Sequence, residues 1–130
     1  MHKIVQPEGW PRPKGYANGV LAQGRILFVA GQVGWNEKEV FDSDDFVAQT
    51  EQALKNIVAV LIAGGARPEH IARMTWYVTD KQDYLGRLAE IGAVYRKVIG
   101  PVYPAMSLVQ VAGLVEHGAK LEIEATAVIP

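Results

Sequence analysis

A chain of 130 residues, 49% hydrophobic and 21% charged, is long enough for one globular domain with a real core and crowded for two, so residues 1–130 are read as a single domain. Thirteen Lys and Arg against fourteen Asp and Glu leave a net charge of -1, so no global field favours nucleic acid or an anionic membrane. Cysteine is absent, which excludes disulfides, thiolate metal sites and a cysteine nucleophile together.

The N-terminus, Met1-His2-Lys3-Ile4-Val5-Gln6-Pro7, lacks the apolar stretch of a signal peptide. The longest apolar run, residues 57–63, is too short to cross a bilayer, and a soluble cytoplasmic protein is expected. Prolines at 7, 11 and 13 keep the next segment extended or turning, as a structured arm rather than a helix. Residues 19–23 and 25–30, separated by Gly24, read as a short hairpin. Residues 26–30 are apolar at every position, which predicts a strand buried on both faces. Gly31-Gln32-Val33-Gly34-Trp35 follows as a turn-rich segment.

Asp42-Ser43-Asp44-Asp45 offers caps and first-turn negative charge, with Ser43 read as a cap. Phe46, Thr50, Leu54, Ile57, Val58 and Leu61 then recur at helical spacing until Gly64-Gly65 stops the helix. Residues 71–79 alternate as a strand, with Ile71, Arg73, Thr75, Tyr77 and Thr79 on one face and Ala72, Met74, Trp76 and Val78 on the other. A second amphipathic helix is expected over residues 81–99, ended by Gly100-Pro101. Two more alternating runs, residues 105–114 and 119–128, joined through Gly118, read as a closing hairpin. The order is ββ, α, β, α, ββ, an α+β pattern.

Two helices of this length cover one face of a sheet and not both. The bare face should therefore meet another copy of the chain, the alternative being a sheet curled onto its own N-terminal arm. In the last run Leu121, Ile123, Ala125 and Ala127 share one face, and Glu122, Glu124 and Thr126 the other. Alternation is the same for carboxylates that face a wet cleft and for carboxylates on a solvated outer face, so both readings stand.

His2, His70 and His117 are scattered, without metal-ligand spacing, and surface or turn roles are expected for them, with no metal and no cofactor. No nucleophile elbow surrounds Ser107, and the paired glycines lack the residues that complete a nucleotide-binding loop. Trp10, Tyr16, Trp35 and Tyr103 lie near proline and glycine, where they either line a pocket or pack loops onto the core.

Gly15-Tyr16, Phe28-Val29-Ala30-Gly31-Gln32, Gln52 to Ile57 (Gln-Ala-Leu-Lys-Asn-Ile), Val78-Thr79-Asp80, Tyr95, Pro104-Ala105-Met106-Ser107 and Leu121-Glu122-Ile123-Glu124-Ala125 together resemble the RidA/YjgF/UK114 family of enamine and imine deaminases. The resemblance covers essentially the whole chain in order. It implies a chorismate-mutase-like α+β subunit, a mixed sheet with two helices on one face, assembled as a homotrimer with small-molecule sites in the clefts between subunits. By the same resemblance Glu122 positions or activates the attacking water, Tyr16 lines the pocket and the backbone at Gly31 contacts ligand, with Met106, Trp35 and Tyr103 shaping the apolar wall.

This chain departs from the family pattern at Met106, where active members carry the arginine of Pro-Ala-Arg-Ser that grips a carboxylate. Such a charge-assisted fork contributes roughly 1.5 to 3 kcal/mol, so its loss weakens a small imino acid on the order of 10 to 200-fold. Ala30, Gly92 and Ala17-Asn18 also replace polar residues of the pattern, and the cations left open as substitute anchors are Arg12, Lys14 and Lys120. Three functions compete. The first is a divergent hydrolase of the enamine/imine deaminase type, weak or inactive on standard 2-imino acids; the second is a non-catalytic trimer that binds a small molecule and regulates or protects a partner. The third, suggested by the endoribonuclease and translation-inhibitor names attached to the family, gets no electrostatic help from a near-neutral chain.

Overall fold

The computed structural model describes residues 2–130. In chain order its elements are β1 (Lys3–Val5), β2 (Gly19–Leu21), β3 (Arg25–Val33), α1 (Phe46–Ala63), β4 (Ile71–Val78), α2 (Lys81–Leu85), α3 (Leu88–Val98), β5 (Ala105–Gln110) and β6 (Leu121–Ile129). Four strands form one mixed sheet in the order β3-β6-β4-β5, in which β6 runs antiparallel to both neighbours and β5 parallel to β4. Leu54, Ile57 and Leu61 of α1, with Ile91 and Tyr95 of α3, close over Met74, Trp76, Leu121, Ile123 and Ala125 of the sheet. The α+β class, the mixed sheet and the two main helices are those expected.

Neither expected hairpin forms. The strands on either side of residues 111–120 are separated by β4, because β6 places Leu121, Ile123, Ala125 and Ala127 in the core and takes a central position, whereas β5 leaves Val109 and Gln110 exposed and suits an edge. The ten intervening residues cross the width of one strand, about 10 Å between next-nearest neighbours, which a tight turn cannot span. Near the N-terminus, β2 pairs with β1 in a separate two-stranded ribbon, and β3 pairs with β6. A parallel β4–β5 pair needs a crossover, and α2 with α3 supplies it.

Within a single chain, residues 26–30 are buried on one face only. Val29 is 3% exposed against the helices, while Ile26 and Phe28 on the opposite face are 58% and 75% exposed. The expected helix over residues 81–99 is broken at Gly86-Arg87: Asp80 caps α2 through the Gln82 N–H, Gly86 caps its end, and the Arg87 guanidinium ties Asp45 to Glu90 outside the helical path. Ile71 is in the core rather than on the Arg73 face, because the register with β6 shifts between these residues.

The N-cap of α1 is Asp45, whose carboxylate accepts the Ala48 N–H at 3.0 Å; the Ser43 hydroxyl instead accepts the Asp45 N–H. His70 is buried, not at the surface, and holds a short 3-10 turn by accepting the Arg67 N–H on Nδ1. Two side chains of α1 secure the loops around the sheet. Gln49 donates to Ser43 O and Gly118 O and accepts from Lys120 N, while Asn56 donates to Val33 O and Trp35 O.

Candidate functional site

The candidate residues fall into two groups on opposite faces of the sheet. In register, Met106 stands beside Met74 on the helix-covered face, and Glu122 beside Tyr77 on the open face. Since cross-strand partners share a face, Met106 is not beside the two carboxylates.

On the helix side, α3, the start of β5 and the N-terminal arm enclose a cleft of about 1130 Å3 that is lined by Tyr16, Tyr103 and Met106. The arm is fastened there by backbone: Ala17 bridges Ala105 and its N–H donates to Pro104 O at 3.0 Å, with Gly15 at φ +78 turning the chain so that Tyr16 reaches the cleft. The Gln6 amide donates to Trp10 O and Pro11 O and accepts from Asn18 Nδ2, which orders the proline-rich stretch above. Tyr103 stacks on Tyr95 with ring centroids 5.7 Å apart, and the Tyr95 hydroxyl donates to Val102 O. Burial pushes the Tyr95 hydroxyl well above the usual tyrosine range, so it acts as a neutral donor.

On the open side, Glu124 accepts the Tyr77 hydroxyl at 2.6 Å, and this bond to a carboxylate is the first cause of an upward shift of the tyrosine. Glu122 lies over Gly31, where any Cβ would run into its carboxylate. Gly31 and Glu122 therefore form one unit. Trp35 stands apart from Met106: it packs on Phe41 with centroids 5.7 Å apart and does not line the cleft. Among the cations left open by the sequence, Arg12 and Lys14 line the cleft and Lys120 does not.

The family model described as Endoribonuclease L-PSP matches residues 11–129. The chain belongs to the RidA/YjgF family. DfrA of Myxococcus xanthus is 36% identical over 129 residues, covering 97% of this chain and 95% of DfrA. TdcF of Escherichia coli, whose name places it among reactive intermediate deaminases, is 34% identical over 132 residues, 98% of each chain; its crystal structure with bound serine superposes at a TM-score of 0.69, with 32% identity over 98% of this chain and 99% of that one. YyfB of Yersinia pestis, a member of the Rid family, superposes at 0.86 with 32% identity over 98% of each chain.

Against the RidA/YjgF pattern, the positions of Met106 and Gly92 both line the cleft. Sequence reasoning overlooked three of its walls. Trp76 and Tyr84, read only as strand and helix residues, meet edge-on beneath it, and Arg96 reaches into it from α3. The signal was present as Leu88, Gly92 and Arg96 at successive steps of four, a stripe along one helix face.

Proposed function

We propose that this RidA/YjgF-family protein binds a small metabolite at a site completed between subunits of a homotrimer, and that it hydrolyses an enamine- or imine-type bond there. The observation that carries this reading is the division of the candidate residues between two faces of one sheet: a site that uses both the Met106 cleft and Glu122 needs the cleft of one copy and the carboxylate of another. The exposed apolar side chains of Ile26 and Phe28 at one edge of the open face, and of Val109 at the other edge, support a second copy as a cover. Glu122, unencumbered by a side chain at Gly31, would orient or deprotonate water, a role that contributes ~10² to 10⁴-fold. Tyr16, Tyr103 and Met106 would hold the substrate body. The names of relatives such as TdcF agree with this chemistry.

Subunit complementation tests the reading. Glu122→Gln and a cleft-filling Gly92→Trp variant should each lose hydrolysis of an imine panel, and mixed oligomers of the two should recover part of it, because some sites then combine an intact cleft with an intact glutamate. No recovery in mixed oligomers of confirmed assembly would place the site within one subunit and overturn the proposal.

A second reading, a non-catalytic binding trimer, is favoured by Met106, which removes the charge the resemblance assigns to that position. Activity across the panel in the wild type, abolished by Glu122→Gln, separates the two.

A further inference from the structure

The cleft carries a charge pattern that the family resemblance does not assign. Along α3, Leu88, Gly92 and Arg96 face it one turn after another. An ideal Cβ on Gly92 would stand 3.2 Å from Arg96 Nη1 and 3.9 Å from its guanidinium carbon, so the arginine is folded back over the bare glycine, along the direction helical side chains normally take. The bare glycine lets the guanidinium come a few tenths of an ångström closer to the helix than a Cβ would allow. Arg87 and Lys97 on the same segment are ion-paired, to Asp45 and Glu90 and to Glu51, whereas Arg96 has no carboxylate partner among the described residues.

From the opposite wall the arm contributes Arg12 and Lys14, and among the described residues no Asp or Glu lines the cleft. Three cations around a walled recess concentrate positive potential inside it, even though the chain as a whole carries -1. Aromatic side chains, among them Trp10, Tyr16 and Tyr103, share the rest of the wall with aliphatic ones such as Ile4 and Leu88. At about 1130 Å3 the space slightly exceeds the roughly 300 to 1,000 Å3 of most small-molecule pockets, far more than a three- or four-carbon acid fills.

We propose that Arg96, laid across Gly92, is the anion anchor of this cleft, and that the ligand it selects is a carboxylate with an aromatic body. The planar guanidinium offers a carboxylate two parallel donors, a geometry that neither lysine nor methionine provides. Leu88 and the aromatic walls take the ring, and Met106 supplies a polarisable contact rather than a charge. This inference rests on reading the cleft as half of the ligand site, but its test does not depend on hydrolysis.

Phenylpyruvate, a stable 2-oxo counterpart of an aromatic imino acid, is titrated calorimetrically into the intact protein beside 2-oxobutanoate and neutral 3-phenylpropanamide. It should bind at least about tenfold more tightly than either, as expected for one charge-assisted fork plus ring burial. Arg96→Met should weaken it by about tenfold or more, and Arg12→Ala and Lys14→Ala by less. Gly92→Ala should weaken it less than Arg96→Met does while raising Tm, since alanine favours the helix and shifts the guanidinium by only a few tenths of an ångström. Equal affinity in Arg96→Met, equal affinity for 2-oxobutanoate, or no phenylpyruvate binding would each overturn the proposal. Binding with no hydrolysis of any imine would defeat the deaminase reading and leave this one standing.

Discussion

Met106 and Glu122 are two strands apart in one sheet and face opposite ways, one beside Met74 under the helices and the other beside Tyr77 in the open. The strand between them, β4, fixes this arrangement, because its successive side chains alternate faces and it is hydrogen-bonded to the strands of both residues. Within one subunit a four-stranded layer therefore lies between the cleft and the carboxylate.

Assembly is the first consequence to measure. Light scattering of a dilute sample should report about three times the 14.2 kDa chain mass. Phe28→Glu should shift that mass towards the monomer, because it replaces an apolar contact of about 1.5 to 3 kcal/mol per subunit with a charge on the face that already carries Glu122 and Glu124. A folded monomer for the wild type would remove the shared site.

The faces of the strands were legible in the sequence, and their neighbours were not. Alternation correctly separated Leu121, Ile123, Ala125 and Ala127 from Glu122 and Glu124, since side-chain period is a local property of extended backbone. Pairing depends instead on which strand buries most apolar surface, and β6 wins the centre although β5 precedes it in the chain. The same limit governed the site. Tyr16, Tyr103 and Met106 come together because the Ala17–Ala105 bridge clips the arm to β5, a contact 88 residues apart with no local signature. Arg96 was missed because a charged residue on an amphipathic helix reads as solvated unless the glycine one turn before it is weighed with it.

Gly31→Ala isolates the carboxylate without removing it. The added methyl would collide with the Glu122 carboxylate, which is the far end of a flexible side chain, so the glutamate should swing away while the strand survives. Hydrolysis should fall nearly as far as in Glu122→Gln, on the order of 10² to 10⁴-fold, with little change in Tm. A variant as active as the wild type would mean that the position of this carboxylate is immaterial to turnover.

Acid stability should depend on Asp45. Its carboxyl is held below the usual aspartate range, first by the hydrogen bond from Arg87 and then by the capping bond from Ala48. A folded value below the unfolded one contributes stability that is fully present above about pH 4 and is lost as pH falls through the lowered value. Asp45→Ala should cost about 0.5 to 2 kcal/mol near neutrality, where the cap is intact, and the difference from wild type should narrow in urea titrations below about pH 4. A gap that stays constant down to pH 2 would show that the ionised cap contributes nothing.

Restoring the family arginine should help only in part. Met106 is half-buried against the core, so Met106→Arg must push its charged end into the cleft, where Arg12, Lys14 and Arg96 already stand. The new fork can take the carboxylate of a small 2-imino acid such as that from 2-aminobutyrate, a contact of roughly 1.5 to 3 kcal/mol, but repulsion from three cations offsets some of it. Turnover of that substrate, expected in the wild type to lie far below that of arginine-bearing relatives, should therefore rise by less than the 10 to 200-fold that roughly corresponds to the contact alone. Adding Arg96→Met should relieve the repulsion and raise it further, while binding of phenylpyruvate falls. Stopped-flow rates for the wild type, both single variants and the double variant decide the matter: wild-type efficiency on the small imino acid equal to that of arginine-bearing relatives would show that the cleft anchors small acids without position 106, and the account of the methionine would fail.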